Sequence, residues 1–484
     1  MSDNLRTPGM TINITAAPTP FSSQNIELLK GHMIETGADA GNATLDEPVL
    51  CSASVIDTLF GKKSMLAAMY KAAVANAPLQ EIWALPIAAV GVAMNATITV
   101  QNASTNLGQC IFYIAGHRHS IVITEGDSNN DVAIKIVAAI NGSTIVVSAV
   151  ALQNVITITC VHKGDLKLSL VHVYNGDEGD IGKNTLILTA FLGGNGQPDI
   201  GTALANLADD EYDYIASGFS GTTVLDQMQS FLDHKSGRWS ADKQIYGHYI
   251  TAVGGTLGEL SAIGVVRNDA HTTIMDMYDS ISPAWEWAAA LGAVIADHMA
   301  SAPELSRPLQ TLVLKNIRAP NKGRTTTERN TLLWDGIATH KKTKSGVVTI
   351  ERAITTYQRT ANDIPDASWL DINTLAQNAY FARFTRAHIL AIFPRSALAD
   401  TNPRNLAEIA TPDDIRKECI QAYMSLIDLG VCENLSGFEK LLTVSRSKVD
   451  ANRIEINWGT DFVNQLMVIA ANAKSYLQIE NGVV

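Results

Sequence analysis

The sequence predicts an α/β protein with a mixed, largely parallel sheet, a β-sandwich insert and a C-terminal α+β domain. Three observations carry this. From Asn184 to about residue 278, strand-like and helix-like stretches alternate, as they do where crossover helices join parallel strands. Between 93 and 177 the texture changes to short β-branched runs separated by Gly, Asn and Asp, the pattern of a small sandwich. From 336 onward a basic hairpin, long capped helices and short strands follow without that alternation.

A chain of 484 residues is too long for one compact core, so several domains are expected. The divisions read as an N-terminal arm (1–26), an α/β domain in two pieces (27–92 and 178–335), the insert (93–177), the α+β domain (336–474) and a C-terminal arm (475–484).

In chain order, the first arm holds Met10, Ile12 and Ile14 in strict alternation with polar residues, between prolines. That is a strand signature with too few neighbours to form its own sheet. Ser64 is placed to cap a helix through Met65, Leu66, Met69, Ala72 and Ala73, which Pro78 ends. Glu81 to Pro86 reads as a buried strand. The insert follows, with one helical piece over 131–140. The alternating region then gives strands over 185–192, 213–219, 244–253 and 271–278, separated by helices, and an Ala-rich helix carries Trp285 and Trp287.

The stretch 325–360 predicts a helical turn, a basic loop turning at Ser345-Gly346, and a strand. Val347, Val348, Thr349 and Ile350 are all β-branched, and this strand is expected to accept strands from other copies of the chain. A long helix over 371–392 follows. The next helix is signalled by Thr411 as cap, Pro412 in the first position, Asp413 and Asp414 at the positive end, and Gly430 beyond the last turn. Its buried stripe is Ile415, Cys419, Tyr423, Leu426 and Ile427. Strands are expected over 441–444 and 453–457, then a strand or amphipathic segment over 462–476. The C-terminal arm again alternates, through Leu477 and Ile479.

Composition bounds the function. A net charge of −12 argues against direct nucleic-acid binding. The one dense basic run, Lys341, Lys342 and Lys344, reads as a solvated loop. Five cysteines without a CxxC pair fit a reducing compartment. With no signal-like N-terminus and no bilayer-length apolar run, a soluble, non-exported protein without membrane insertion is expected.

No catalytic residue, metal site or cofactor is expected. Gly193-Gly194-Asn195-Gly196 lacks the final Gly-Lys-Ser/Thr of a phosphate loop and reads as a tight turn before a helix. Ser217-Gly218-Phe219-Ser220-Gly221 misses a nucleophile elbow by one residue. His117-Arg118-His119 lacks a third metal ligand and reads as a solvated strand end. A hydrolase on a doubly wound sheet is the rival from another class.

Across nearly its whole length the chain resembles the tail-sheath proteins of Mu-like contractile bacteriophages. The resemblance is carried by Phe60-Gly61-Lys62-Lys63-Ser64, Glu81-Ile82-Trp83-Ala84-Leu85-Pro86, Gly193-Gly194-Asn195-Gly196-Gln197-Pro198-Asp199 and Trp285-Glu286-Trp287. Further along it rests on Arg307-Pro308-Leu309, Glu328-Arg329-Asn330, Asp335-Gly336-Ile337-Ala338-Thr339, Ile350-Glu351-Arg352-Ala353-Ile354-Thr355-Thr356-Tyr357 and Phe393-Pro394-Arg395. It implies a subunit of the helical cylinder around a tail tube, with an α/β domain subtilisin-like in fold only and an α+β domain facing the tube. It further implies arms that add strands to neighbouring subunits. The implied partners are other copies in stacked rings, the tail tube protein, and the baseplate and tail terminator proteins. The implied location is the virion tail, after assembly in the host bacterial cytoplasm. Tube-facing candidates are Glu439, Lys440, Arg446, Lys448 and Arg453, charges that a solvated helix end explains equally well. The sheath of a phage-like bacteriocin or injection machine fits the same resemblance.

Overall fold

The computed structural model describes residues 26–171 and 182–473. The chain enters on β1 (Ile26–His32), followed by β2 (Val49–Leu50), α1 (Ile56–Phe60), α2 (Met65–Asn76) and β3 (Glu81–Ile87). Ser64 caps α2 by accepting the Ala67 N–H, and Met65 and Met69 are buried as expected of core residues. They sit over Gly31 of β1, where a Cβ would come within 3.1 Å of both methionine side chains. Glycine there lets the helix settle directly on the strand.

The insert leaves after β3. It comprises β4 (Ala93–Val100), β5 (Gly108–Ile114), β6 (His117–Ile123), α3 (Asn129–Asn141), β7 (Val147–Leu152), β8 (Val155–Lys163) and β9 (Leu170–Val171). The chain returns through α4 (Gly182–Thr185) and β10 (Leu186–Leu188). Two antiparallel sheets result, ordered β10-β4-β8-β7 and β6-β5-β9. Helix α3 buries Val132, Ala133, Ile136 and Ile140 and packs on strands of both sheets.

Two expectations are corrected here. The strand expected over 185–192 pairs antiparallel with β4 and so belongs to the insert's sheet. The glycine run at 193–196 closes the neck of the insert. Asn195 bridges Val92 and Leu192 bridges Asn95, and a Cβ on Gly91 (φ +96°) would lie 1.8 Å from the Asn195 carbonyl oxygen. Only a residue without a side chain fits that approach.

Next come α5 (Gly201–Asn206), β11 (Tyr214–Ser217), α6 (Thr222–Leu232), β12 (His248–Val253), α7 (Leu257–Arg267), β13 (Thr272–Asp276) and α8 (Ala284–His298). The large sheet is ordered β13-β12-β11-β1-β3-β2 and is parallel throughout except for β2. Helix α8 is buried from Trp285 to Ala296. Its alanines and glycine let it lie close against β11, β12 and α2. Both faces of the sheet are covered, which is why its strands are apolar without alternation.

The remainder is α9 (Thr326–Trp334), β14 (Thr339–Lys342), β15 (Val348–Arg352), α10 (Ile372–Ile392), β16 (Ala397–Leu398) and β17 (Ile409–Ala410). It ends with α11 (Pro412–Asp428), α12 (Leu435–Leu441), β18 (Thr443–Arg446) and β19 (Ile454–Asn457). Thr411 and Asp414 form a reciprocal capping box on α11, an arrangement that contributes about 1 kcal/mol. Helix α12, capped by Asn434, occupies Leu441, where the sequence predicts a strand. Over 463–473 neither strand nor helix forms, against the expectation for 462–476. A second apolar core links α8, α10, α11 and α12 to the underside of β18 and β19.

Candidate functional site

The feature that stands out chemically is a pair of unpaired main-chain edges. β18 and β19 form an antiparallel sheet of their own, with no third strand among the described residues. The Ser447 N–H donates to the Arg453 carbonyl. By the alternation of an antiparallel ladder, Ser445 with Glu455 and Thr443 with Asn457 are then the bonded pairs. The N–H and C=O groups of Val444, Arg446, Ile454 and Ile456 therefore point outward. Val444, Ile454, Ile456 and Trp458 pack partly buried on the second core, so the hairpin is held from below while its flanks stay open. Phe381 meets Trp458 and Phe462 edge-on. Tyr423 stacks on Phe438 and its hydroxyl donates to the Glu433 and Asp461 carbonyls, which fixes the surrounding loops.

Three other edges, those of β7, β13 and β15, are closed. On β7, the outward Ala149 is bonded at both main-chain groups by the Asn141 amide (2.8 and 2.9 Å), and the Val147 carbonyl accepts Lys63 Nζ at 3.1 Å. The outer edge of β13 bonds to Ala338 and Thr356. The strand expected as acceptor, Val347 to Ile350, corrects the sequence reading. It has β14 on one side, while Thr311, Leu312 and Leu314 bond to Val348 and Ile350 on the other. Both of its edges are taken within the chain. The expectation failed because residues 311–314 carry no strand-like alternation.

Of the tube-facing candidates, Glu439 and Lys440 lie exposed near the end of α12. Arg446, Lys448 and Arg453 lie on β18 and the β18–β19 turn, so the five gather on one hairpin and the helix leading into it. Arg446 donates to the Ala451 carbonyl and pairs with Asp400 at 3.4 Å. The arm residues Met10, Ile12, Ile14, Leu477 and Ile479 lie outside the described residues.

Residues 193–356 match the phage tail sheath protein central domain, and residues 365–474 match the phage tail sheath C-terminal domain. The chain is 31% identical over 449 residues to the Mu-like prophage FluMu tail sheath protein of Haemophilus influenzae, covering 90% of this chain and 91% of that one. The chain belongs to the phage tail sheath family. Its fold is also similar to that of the crystallised sheath tail protein of Desulfitobacterium hafniense. That likeness has a TM-score of 0.50 at 12% identity, over 95% of this chain and 97% of that one. This sheath protein is therefore a structural component of a phage tail.

The titratable groups of the sheath protein serve its core. Lys30 is fully buried, with Nζ 3.1 Å from the Met228 sulfur and 5.7 Å from the Tyr249 ring centroid. Burial, then Arg238, holds its amine well below the ordinary lysine range. His32, His234 and His248 are pushed down to about 4, 4 and 3 by burial. The reading of 117–119 as a solvated strand end holds for His117, which is exposed at the start of β6, and fails for His119, which is buried. His117 bonds Glu286 of α8 at 3.1 Å, which raises its pKa, whereas His119 is buried on Phe112 and falls to about 4. Ser217 is buried and accepts the Phe219 N–H, while His248 bonds Thr273. No group of three or more His, Cys, Asp or Glu among the described residues is placed to hold a metal. No described helix is long and apolar enough to cross a membrane.

Proposed function

We propose that this sheath subunit polymerises helically around a tail tube and is linked to its neighbours by strand donation, without enzymatic activity. The open flanks of β18–β19 carry the proposal. A two-stranded ribbon is marginal by itself, and its outward groups gain partners when extended segments add to it. Arms carrying Met10, Ile12 and Ile14 at one end and Leu477 and Ile479 at the other supply such segments. Residues 463–473 support this reading, because Leu466, Val468 and Ile469 are 65, 80 and 80% exposed on the approach to the C-terminal arm. Apolar side chains along an extended segment match a strand that finds its cover in another copy.

The subunit then divides into arms at 1–26 and 475–484, an α/β body at 27–92 and 196–335, an outer sandwich insert at 93–195 that keeps β10 and the bridge to Asn195, and an α+β part at 336–474 that faces the tube. Glu439, Lys440, Arg446, Lys448 and Arg453 meet the tail tube protein, with baseplate and terminator proteins at the ends. Paired arms hold neighbours together while the bodies rotate outward as rigid units, and the cylinder shortens to drive the tube through the host envelope. Assembly takes place in the host cytoplasm. Deleting residues 1–20 is expected to leave a folded monomer that forms no cylinders. Normal cylinders from that truncation in negative-stain micrographs would overturn the proposal.

A further inference from the structure

The basic run at 341–344 is not simply a solvated loop. It closes over a cavity of about 440 Å³ lined by Arg324, Arg329, Lys341, Lys342, Lys344 and Asp276. Arg324 and Asp276 form the buried floor, each 3% exposed, with contacts of 2.7 and 3.1 Å. Arg329 and Lys341 share Glu351 at 2.6 and 2.9 Å. Lys342 Nζ faces the Pro320 carbonyl at 2.9 Å. Arg324, Arg329 and Lys341 thus share two carboxylates, Lys342 also lines the cavity, and Lys344 stands exposed at the rim. In a chain of net charge −12 this is a local excess of positive charge, and a concave basic surface attracts an acidic partner.

The densest acidic run of the described chain is Asp209-Asp210-Glu211. Glu211 is tied to Arg383 at 2.9 Å, but Asp209 and Asp210 are exposed and form no ion pair among the described residues. The sheet sets where these two regions lie. Residues 209–211 precede β11, while Asp276 ends β13, and β11, β12 and β13 run parallel. The acidic turn and the basic cavity therefore occupy opposite ends of one sheet, roughly 15 Å or more apart at about 3.3 Å per residue. One molecule cannot close that contact on itself.

We infer that the basic cavity receives the Asp209-Asp210 turn of a second copy of this chain. Two such regions at opposite ends make a head-to-tail contact, which propagates instead of closing into a dimer. The inference rests on the polymerising reading above and adds a charged contact to the strand-mediated one.

The test is charge exchange in the full-length chain, with polymer measured by light scattering and microscopy. K341E/K344E and D209K/D210K should each raise the concentration needed for polymer at least ten-fold. The combined variant should return to within about three-fold of the natural chain. Because Lys341 also holds Glu351, K344E alone serves as the variant that disturbs no internal pair, and it should raise that concentration about three-fold. Polymerisation of either double variant at the natural concentration, or a combined variant no better than its parents, would overturn the inference. Those outcomes leave the arm reading standing, since that reading fails only if the arm truncation still polymerises.

Discussion

The β7 edge of the insert and the β18–β19 hairpin are both short antiparallel ribbons at the surface, yet they treat their outward main-chain groups in opposite ways. At β7 the Asn141 amide mimics a neighbouring strand and Lys63 covers the next carbonyl. At the hairpin no third strand pairs with either flank among the described residues. An uncovered edge invites another chain, and proteins that do not need the contact block it with side chains. Here the same molecule does both, as the proposed strand donation to the hairpin requires.

The largest expected effect comes from proline at the hairpin. Ile456→Pro removes an N–H that points outward and leaves the internal ladder bonds in place, so the monomer should stay folded while polymer falls at least a hundred-fold. Glu455→Pro removes a ladder bond instead and should unfold the hairpin itself. Circular dichroism and negative-stain microscopy on the two variants separate these effects. If Ile456→Pro polymerises normally, the comparison fails.

Acid should act on the body before the hairpin. His32, His234 and His248 have folded pKa values of about 4, 4 and 3, against an ordinary 6.5 in the unfolded chain. The unfolded state therefore binds protons first. Their contribution to stability is intact above about pH 6.5 and is lost progressively as pH falls towards about 4. Thermal melts of the monomer from pH 7.5 to 4.5 should show a falling midpoint. A flat profile would remove the buried-histidine account.

How much of this was legible in the sequence depended on whether the signal was local. Ser64 and the Thr411-Pro412 start announced α2 and α11, because a cap is a bond between near neighbours. The alternation that gave β11, β12 and β13 is likewise contained in each crossover unit. β10 was misassigned because its partner β4 lies far back in the chain, and strand-like residues do not say which sheet they join. Helix α12 escapes sequence reasoning because its seven residues, with Gly437 in the first turn, carry almost no helical period. The closed edges of β15 depend on residues 311–314, and the open flanks of β18–β19 are an absence that no residue encodes. Lys30 looks like an ordinary surface residue in the sequence and is in fact fully buried.

That lysine sharpens the comparison further. A lysine with its amine buried and paired with no carboxylate among the described residues is costly, and its folded pKa lies below its ordinary 10.5. The unfolded chain is thus favoured by protonation at neutral pH, and Lys30→Met should stabilise the fold by on the order of 1–4 kcal/mol. Polymerisation should be unchanged, since the site lies in the body. A lower melting midpoint would contradict the packing described.

The smallest effect is expected at β7. Asn141→Ala frees the main-chain groups of Ala149 at a cost of about 1–2 kcal/mol, and should produce slow, irregular association seen by light scattering. No change in stability or association would mean that the Asn141 cover is incidental.

The most direct measurement is a cryo-electron-microscopy map of the assembled polymer at a resolution that traces strands. The account predicts extended segments from neighbouring copies flanking β18 and β19 and bonding to Val444, Arg446, Ile454 and Ile456. A hairpin whose two flanks face solvent in the assembled cylinder, or arms folded back on their own subunit, would contradict it.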